Sequence, residues 1–251
     1  MKTIVIKIGG STLGEHDTTL EDIVALQKNG MCPVVVHGGG KKITEWLDKL
    51  GVATTFKEGL RVTDEQALEV VVAVLCGIVN KQLVSAINKL GGKAVGLSGF
   101  DGGMIKAEVA DEELGYVGDV KSIDAGPIKS IIDAGYIPVI APGGHNGEHM
   151  LNVNADSVAG EIAVALKADE MIFLTDVEGV RDKSGNLFST LYKEEMGSLM
   201  DMEIISGGMI PKIYACLRSL MSVDEARVID GRQPHALMDV LDGKNIGTVI
   251  K

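Results

Sequence analysis

Short runs of Val, Ile and Leu recur along the chain, and nearly every one is followed by a longer amphipathic stretch. No other feature restricts the fold as strongly, because strands that alternate with helices must pair in parallel and must be covered on both faces. The series opens with TIVIKI (3–8), a helical stretch through TTLEDIVALQKNG (18–30) and the strand PVVVH (33–37). KKITEWLDKLG (41–51) predicts the next helix, and VATTFKEGLRV (52–62) reads as a polar loop. A long helix is expected over 63–90, opened by the capping-box spacing Thr63-x-x-Gln66 and closed by Gly91 and Gly92. KAVGLSG (93–99) is a third strand, and MIKAEVA (104–110) with LGYVGDV (114–120) predicts a hairpin or meander at a sheet edge. Helices over 127–134, 155–166, 192–200, 211–222 and 235–241 then interleave with YIPVIAP, EMIFLTD, EARVID and a terminal TVI. No Pro/Ser-rich linker divides the series, so two lobes sharing one sheet are expected, 1–168 and 169–251, with the boundary near 167–170.

At 251 residues and 45% hydrophobic content the chain can bury a substantial core. A formal charge of -11 with no Lys/Arg-rich run argues against nucleic-acid binding, although a local nest of amides and lysines can still hold a small anion. Cys32, Cys76 and Cys216 lack metal or redox spacing and read as packing residues in a reducing compartment. The run beginning at Ile4 is interrupted by Lys7 and glycines, too short for a signal core, and no stretch reads as a membrane span, so a cytoplasmic protein is expected.

Two strands spill directly into glycines, as KIGGS (7–11) and HGGGKK (37–42). Ligands of an open parallel sheet bind beyond the carboxyl ends of its strands, where glycine backbones and helix amino termini meet negative oxygen. The phosphate-loop and dinucleotide fingerprints are both absent. Lys7 stands inside the first of these strands, where an amine needs an anion or a route to water. SGGMIPK (206–212) places a second lysine, Lys212, at the start of a helix whose first turn holds Pro211. LNVNAD (151–156) brings Asn152, Asn154 and Asp156 together, on one side if the segment is extended, with the aspartate able to hold two lysine heads in place. Arg61 in GLRVTD (59–64) stands before a helix and is a candidate bidentate clamp for a carboxylate. Two lysines and three amide nests suggest phosphoryl transfer. HNGEH (145–149) fits an H-x-x-E-H zinc signature, but the surrounding glycines and proline read as a turn that cannot place both histidines on one helical face.

Ten strings in order, KIGGS, HGGG, GLRVTD, NKQLV, LSGFDGG, GYVGDV, PVIAP, NVNAD, LTDVEGV and GGMIPK, span 7–212. Together they resemble the acetylglutamate kinase group of the amino acid kinase family. The resemblance implies a three-layer αβα sandwich around an open, mainly parallel sheet, an amino-terminal lobe for N-acetyl-L-glutamate and dimerisation, and a carboxyl-terminal lobe for ATP. By the same resemblance Lys7 and Lys212 are transition-state lysines and Asp156 organises them. Gly9, Gly10 and Ser11 match the phosphate-contacting loop, while Gly39, Gly40, Arg61, Asn152 and Asn154 match acetylglutamate contacts. Asp176, Val177, Glu178, Gly179, Val180 and Arg181, with Ile204, Ile205, Ser206 and Met209, match the nucleotide site. Magnesium is expected as the ATP complex, held mainly by the nucleotide phosphates, with no protein metal ligand.

The implied reaction is attack of the acetylglutamate γ-carboxylate on the γ-phosphorus of ATP, in arginine biosynthesis. Rival readings are a kinase of the same family acting on carrier-bound aminoadipate, and a non-catalytic nucleotide or amino-acid sensor. MKTIVIKIGGS reaches the first strand at once, without the extra helix that the resemblance associates with arginine-inhibited hexamers. An arginine-insensitive homodimer is therefore the expectation.

Overall fold

The computed structural model describes residues 1–9, 18–57 and 59–251. Eight strands form one twisted sheet in the order Thr190–Leu191, Thr248–Ile250, Ala226–Asp230, Glu170–Thr175, Thr3–Ile8, Cys32–His37, Ile137–Ala141 and Ala94–Ser98. All neighbours are parallel except Ala226–Asp230 and Thr248–Ile250. Thr3–Ile8 lies near the middle, with Lys7 level with Val36 on one side and Phe173 on the other.

Side chains alternate across this strand, and the alternation assigns each residue to a layer. Ile4, Ile6 and Ile8 enter a core with Ile23, Val24 and Leu26 of the helix Thr19–Lys28, Leu83 and Ile87 of Asn80–Lys89, and Leu237 of Ala236–Leu241. Val5 faces the opposite way, against Ile162 of Ala155–Leu166, Ile213 of Met209–Ser219 and Ile128 of Gly126–Asp133. Lys7 shares the parity of Val5. The sandwich is therefore three-layered, and its one strand lysine emerges on the layer that holds Ala155–Leu166 and Met209–Ser219. Phe173 is fully buried in that layer, where truncation to alanine would cost about 3–5 kcal/mol.

Several local expectations need correction. Asp64, not Thr63, caps the long helix, its carboxylate accepting from Ala67 N, while Thr63 bridges to Gly115. That helix runs Glu65–Lys89 with a π-helical segment at Ala73–Val79. It is long and apolar enough to cross a membrane, but Val71, Val74 and Leu75 pack on the helix Gly40–Leu50, and Leu83 and Ile87 on the sheet. The segment read as a polar loop contains a hairpin, Phe56–Lys57 with Leu60–Arg61. Ile105–Val109 and Val117–Ile123 do pair antiparallel, yet not at an edge of the large sheet. With Gly143–His145 and Met150–Val153 they close into a small four-stranded barrel.

Candidate functional site

Three charged side chains converge beyond the carboxyl end of the first strand. Lys7 Nζ lies 2.7 Å from Asp156 Oδ1, and Lys212 Nζ lies 3.0 Å from Asp156 Oδ2. Each comes from a different element, because Asp156 stands in the first turn of Ala155–Leu166 and Lys212 in the first turn of Met209–Ser219. Lys7 and Asp156 are each 5% exposed. Burial pushes the Lys7 amine below the usual lysine range and nearby Lys212 adds to this, while Asp156 opposes it. Burial works to raise the Asp156 carboxyl, but the two lysines outweigh it and hold it below the usual carboxylate range. Two cations share one anion in direct contact, and Asp176 adds a weaker attraction at Lys7, which leaves an excess of positive charge in a desolvated place suited to a multiply charged phosphate.

One helix crossing sets this spacing. Gly160 of Ala155–Leu166 packs so closely on the other helix that a Cβ there would stand 2.7 Å from Ala215 O. Asn154 caps the first helix, its Oδ1 accepting from Asp156 N at 2.8 Å and Ser157 N at 3.2 Å. The chain thus turns from strand to helix between 153 and 155, and Asn152, Asn154 and Asp156 do not share one face of an extended segment.

A cavity of about 180 Å³ opens beside the charged cluster, walled by Gly38, Gly39 and Gly40, by Phe56, Leu60 and Arg61 of the hairpin, and by Asn152, Asn154 and Ala155. Arg61 lies in the hairpin's second strand, not in a loop. Its Nη2 donates to Gly40 O at 3.1 Å and to Thr44 Oγ1 at 2.8 Å, and its guanidinium lies 4.7 Å from the centre of the Phe56 ring. Nη1 is buried and has no protein hydrogen-bond acceptor among the described residues. Burial lowers the Arg61 pKa, partly offset by Asp48. A fixed guanidinium with an unused donor in a cavity wall is fitted to bind a carboxylate. Asn152 Nδ2 donates to Thr63 Oγ1 at 3.1 Å, and Thr63 Oγ1 donates to Arg61 O at 2.8 Å, which ties the floor to the hairpin.

A second cleft, about 470 Å³, is lined by Asp176, Val177, Glu178, Gly179, Val180, Arg181, Ile204, Ser206 and Met209, together with Arg232. Along the chain, Asp156 directly follows Ala155 of the cavity wall, and Lys212 lies one turn beyond Met209 of the cleft. Ile205 is not in the lining; it is 1% exposed and belongs to the core. Arg232 was not singled out from the sequence. The guanidinium pairs with Asp230 through Nε–Oδ1 and Nη2–Oδ2 contacts of 2.8 Å each, and the only sequence hint is D-G-R at a strand end. Gly9 N donates to Leu174 O at 3.2 Å, whereas Gly10 and Ser11 lie outside the described residues. HNGEH forms the end of a strand and a turn: His145 Nε2 donates to Gly103 O, and His149 stacks edge-on against Tyr116.

Residues 2–230 match the amino acid kinase family. The chain belongs to that family. It is 45% identical to the acetylglutamate kinase of Heliobacterium modesticaldum, over 99% of this chain and 92% of that protein. Identity to the acetylglutamate kinase of Caldanaerobacter subterraneus subsp. tengcongensis is 47%, over 99% and 87%. Among solved structures, smu.665 from Streptococcus mutans UA159 superposes with a TM-score of 0.86 at 30% identity, covering 99% of this chain and 98% of that one. Carbamate kinase from Giardia lamblia, bound to AMP-PNP, shares the fold, with a TM-score of 0.72 at 17% identity over 99% and 98%.

Proposed function

We propose that the protein transfers the γ-phosphoryl group of MgATP to the γ-carboxylate of N-acetyl-L-glutamate, yielding N-acetyl-L-glutamyl 5-phosphate and ADP in arginine biosynthesis. The observation that carries this reading is the Lys7–Asp156–Lys212 cluster, set between a cavity with an uncommitted Arg61 donor and a larger cleft. The names of the full-length relatives support the acceptor. A γ-carboxylate oxygen forms the new P–O bond as the bond from the γ-phosphorus to the β–γ bridging oxygen breaks, and ADP carries away that electron pair. The acceptor is already ionised at neutral pH, so no general base is required. The protein's part is positioning and charge neutralisation.

In this reading Lys7 and Lys212 neutralise the phosphoryl oxygens and Asp156 holds their heads apart. Arg61, Asn152 and the Gly39–Gly40 backbone bind acetylglutamate. Asn154 acts by capping the helix that carries Asp156 and by forming part of the cavity wall. The Asp176–Arg181 loop, Ile204, Ser206 and Met209 bind the nucleotide, with Gly9, Gly10 and Ser11 on the phosphates. Magnesium enters as part of the substrate and is held by its phosphates. The lobes are 1–168 for the acceptor and 169–251 for the nucleotide, which agrees with the lining of the two spaces. Two copies pair through the outer strand Ala94–Ser98 and the half-buried Val70, Val72 and Ile78 of Glu65–Lys89, and three free cysteines suit the cytoplasm. The deciding experiment couples ADP release to a chromogenic readout with acetylglutamate, glutamate, aspartate and carbamate offered in turn. Turnover of acetylglutamate well above the rest is expected, because a free ammonium would need desolvation without a partner. Glutamate turned over as efficiently as acetylglutamate would overturn the substrate assignment.

A further inference from the structure

His37 ends the second strand, immediately before the glycines of the acceptor cavity, and is 1% exposed. Its Nδ1 lies 3.0 Å from Gly38 O, and its Nε2 lies 3.1 Å from Asn80 Nδ2. A carbonyl oxygen can only accept, so Nδ1 carries the proton and Nε2 accepts from the amide of Asn80. The Asn80 amide has no freedom to turn round, because Nδ2 donates to Val139 O at 2.9 Å while Oδ1 accepts from Lys81 Nζ at 3.0 Å. An imidazolium would set a second N–H against that Nδ2. Burial, with the charges of Lys7 and Lys81, agrees with this geometry and pushes the pKa of His37 down to about 4. The ring is a neutral imidazole of one tautomer.

The bond it makes has a consequence across the next peptide. Gly38 N donates to Ile8 O at 3.1 Å, so Gly38 is held at its amide by the strand of Lys7 and at its carbonyl by the imidazole. The described chain has no cis peptide bonds, and in a trans peptide the C=O and the following N–H point in opposite directions. Fixing Gly38 C=O therefore fixes the direction of Gly39 N–H, in the wall of the acceptor cavity. Gly39 can occupy that place because it lacks a Cβ, which would meet Leu75 Cδ2 at 2.6 Å.

We propose that His37 is a positioning residue for phosphoryl transfer: relayed from Asn80, its Nδ1–H sets the Gly38–Gly39 peptide so that Gly39 N–H donates to the reacting oxygens. This rests on the acetylglutamate kinase reading above, and the imidazole does not itself touch substrate. Asparagine places an amide N–H near the position of Nδ1, whereas leucine offers no donor. His37→Leu should lower kcat about 10–100-fold with KM for acetylglutamate within about threefold, as expected for a donor used in the transition state. His37→Asn should recover kcat to within about threefold of the parent enzyme. Because loss of folded protein would itself lower apparent kcat at unchanged KM, rates are normalised to the folded fraction from the thermal melt, and recovery in His37→Asn then separates positioning from folding. Independently of any substrate, ¹⁵N NMR of the unmodified protein should show His37 protonated on Nδ1 only, at pH 6 and at pH 8. A kcat in His37→Leu equal to the parent's, no recovery in His37→Asn, or an Nε2–H tautomer or imidazolium at pH 6 would overturn the proposal. If the unmodified protein did not turn over acetylglutamate, the functional reading would fail, while the tautomer measurement would still judge the relay.

Discussion

The helix crossing at Gly160 allows the tightest test of the charged cluster, because it can be perturbed without touching a charged group. A methyl at this position would lie 2.7 Å from Ala215 O, 3.2 Å from Ala215 Cα and 3.3 Å from its carbonyl carbon, all of them backbone atoms. Ordinary contact begins near 3.4 Å, so Gly160→Ala must part the helices by up to about 0.7 Å (3.4 − 2.7). If Met209–Ser219 moved as a rigid body by that amount, the Lys212–Asp156 distance would grow from 3.0 Å to as much as about 3.7 Å, beyond hydrogen-bond range. Overpacking costs about 1–3 kcal/mol, and the better helix propensity of alanine returns about 1, so a net loss of roughly 0–2 kcal/mol is expected. For 251 residues that is a Tm decrease of about 0–4 °C. The catalytic effect should be larger in proportion, with kcat about 3–30-fold lower, since a misplacement near 1 Å can cost about a hundredfold. KM for acetylglutamate should hardly move, because Arg61 and Asn152 lie on other elements. Calorimetry and steady-state kinetics on one preparation give both numbers. A Gly160→Ala enzyme with unchanged kcat and a higher Tm would show that the crossing does not set the position of Lys212.

Three further outcomes follow from the same geometry. Arg61→Ala should raise KM for acetylglutamate about 10–100-fold with little change in kcat, and Arg61→Lys should restore only part of it, since an ammonium cannot make the same two-pronged contacts. Lys7→Ala and Lys212→Ala should each lower kcat about a hundredfold or more, measured as initial rates at saturating substrates. On pH, Lys7 is depressed in the folded protein, so between its folded and unfolded pKa values the unfolded chain binds more protons and the group's contribution to stability rises with pH. Catalysis has the opposite sign: the charged amine is the useful form, and kcat/KM should fall on the alkaline side below the usual lysine pKa. Asp156 is the partner that raises it, so Asp156→Asn should move that limb to lower pH. A limb unmoved by this change would show that Lys7 does not control it.

The strands were legible because a sheet covered on both faces demands near-continuous apolar runs, and few other structures produce TIVIKI or PVVVH before glycine. Lys7 was legible for the same reason, as a charge that such a run does not tolerate without a purpose. The hairpin carrying Arg61 was not. Its two-residue strands, Phe56–Lys57 and Leu60–Arg61, are too short to show a period, and it is held through Arg61 contacts with Gly40 and Thr44 of a distant helix. The long helix misled by one residue at its start, because Thr63 and Asp64 are both good caps and Thr63 is taken by the bridge to Gly115. Arg232 was hidden by its chemistry: an arginine two residues from an aspartate reads as a local ion pair, which it is, and nothing local shows that a cleft passes it. Gly160 was invisible because its meaning lies entirely in the helix opposite.

Lys212 stands where a helix by itself would not favour a cation. The amino end of Met209–Ser219 carries partial positive charge, and a lysine in that first turn is disfavoured by about 0.3–1 kcal/mol unless an anion is near. Asp156 supplies that anion, and it stands in the first turn of its own helix, where a carboxylate is favoured. Asp156 cannot by itself neutralise Lys7, Lys212 and two helix amino ends, and Asp176 adds only a weaker attraction at Lys7, so among the described residues the cluster keeps an excess of positive charge. The charge that completes it is the one that spreads over the phosphoryl oxygens during transfer. A further acid in direct contact with the lysines would neutralise the resting site and weaken its attraction for that charge. Removing Asp156 would leave Lys7 buried beside Lys212 with less to hold it protonated. A single shared aspartate therefore keeps both lysines charged and placed, while leaving their remaining attraction for the transition state.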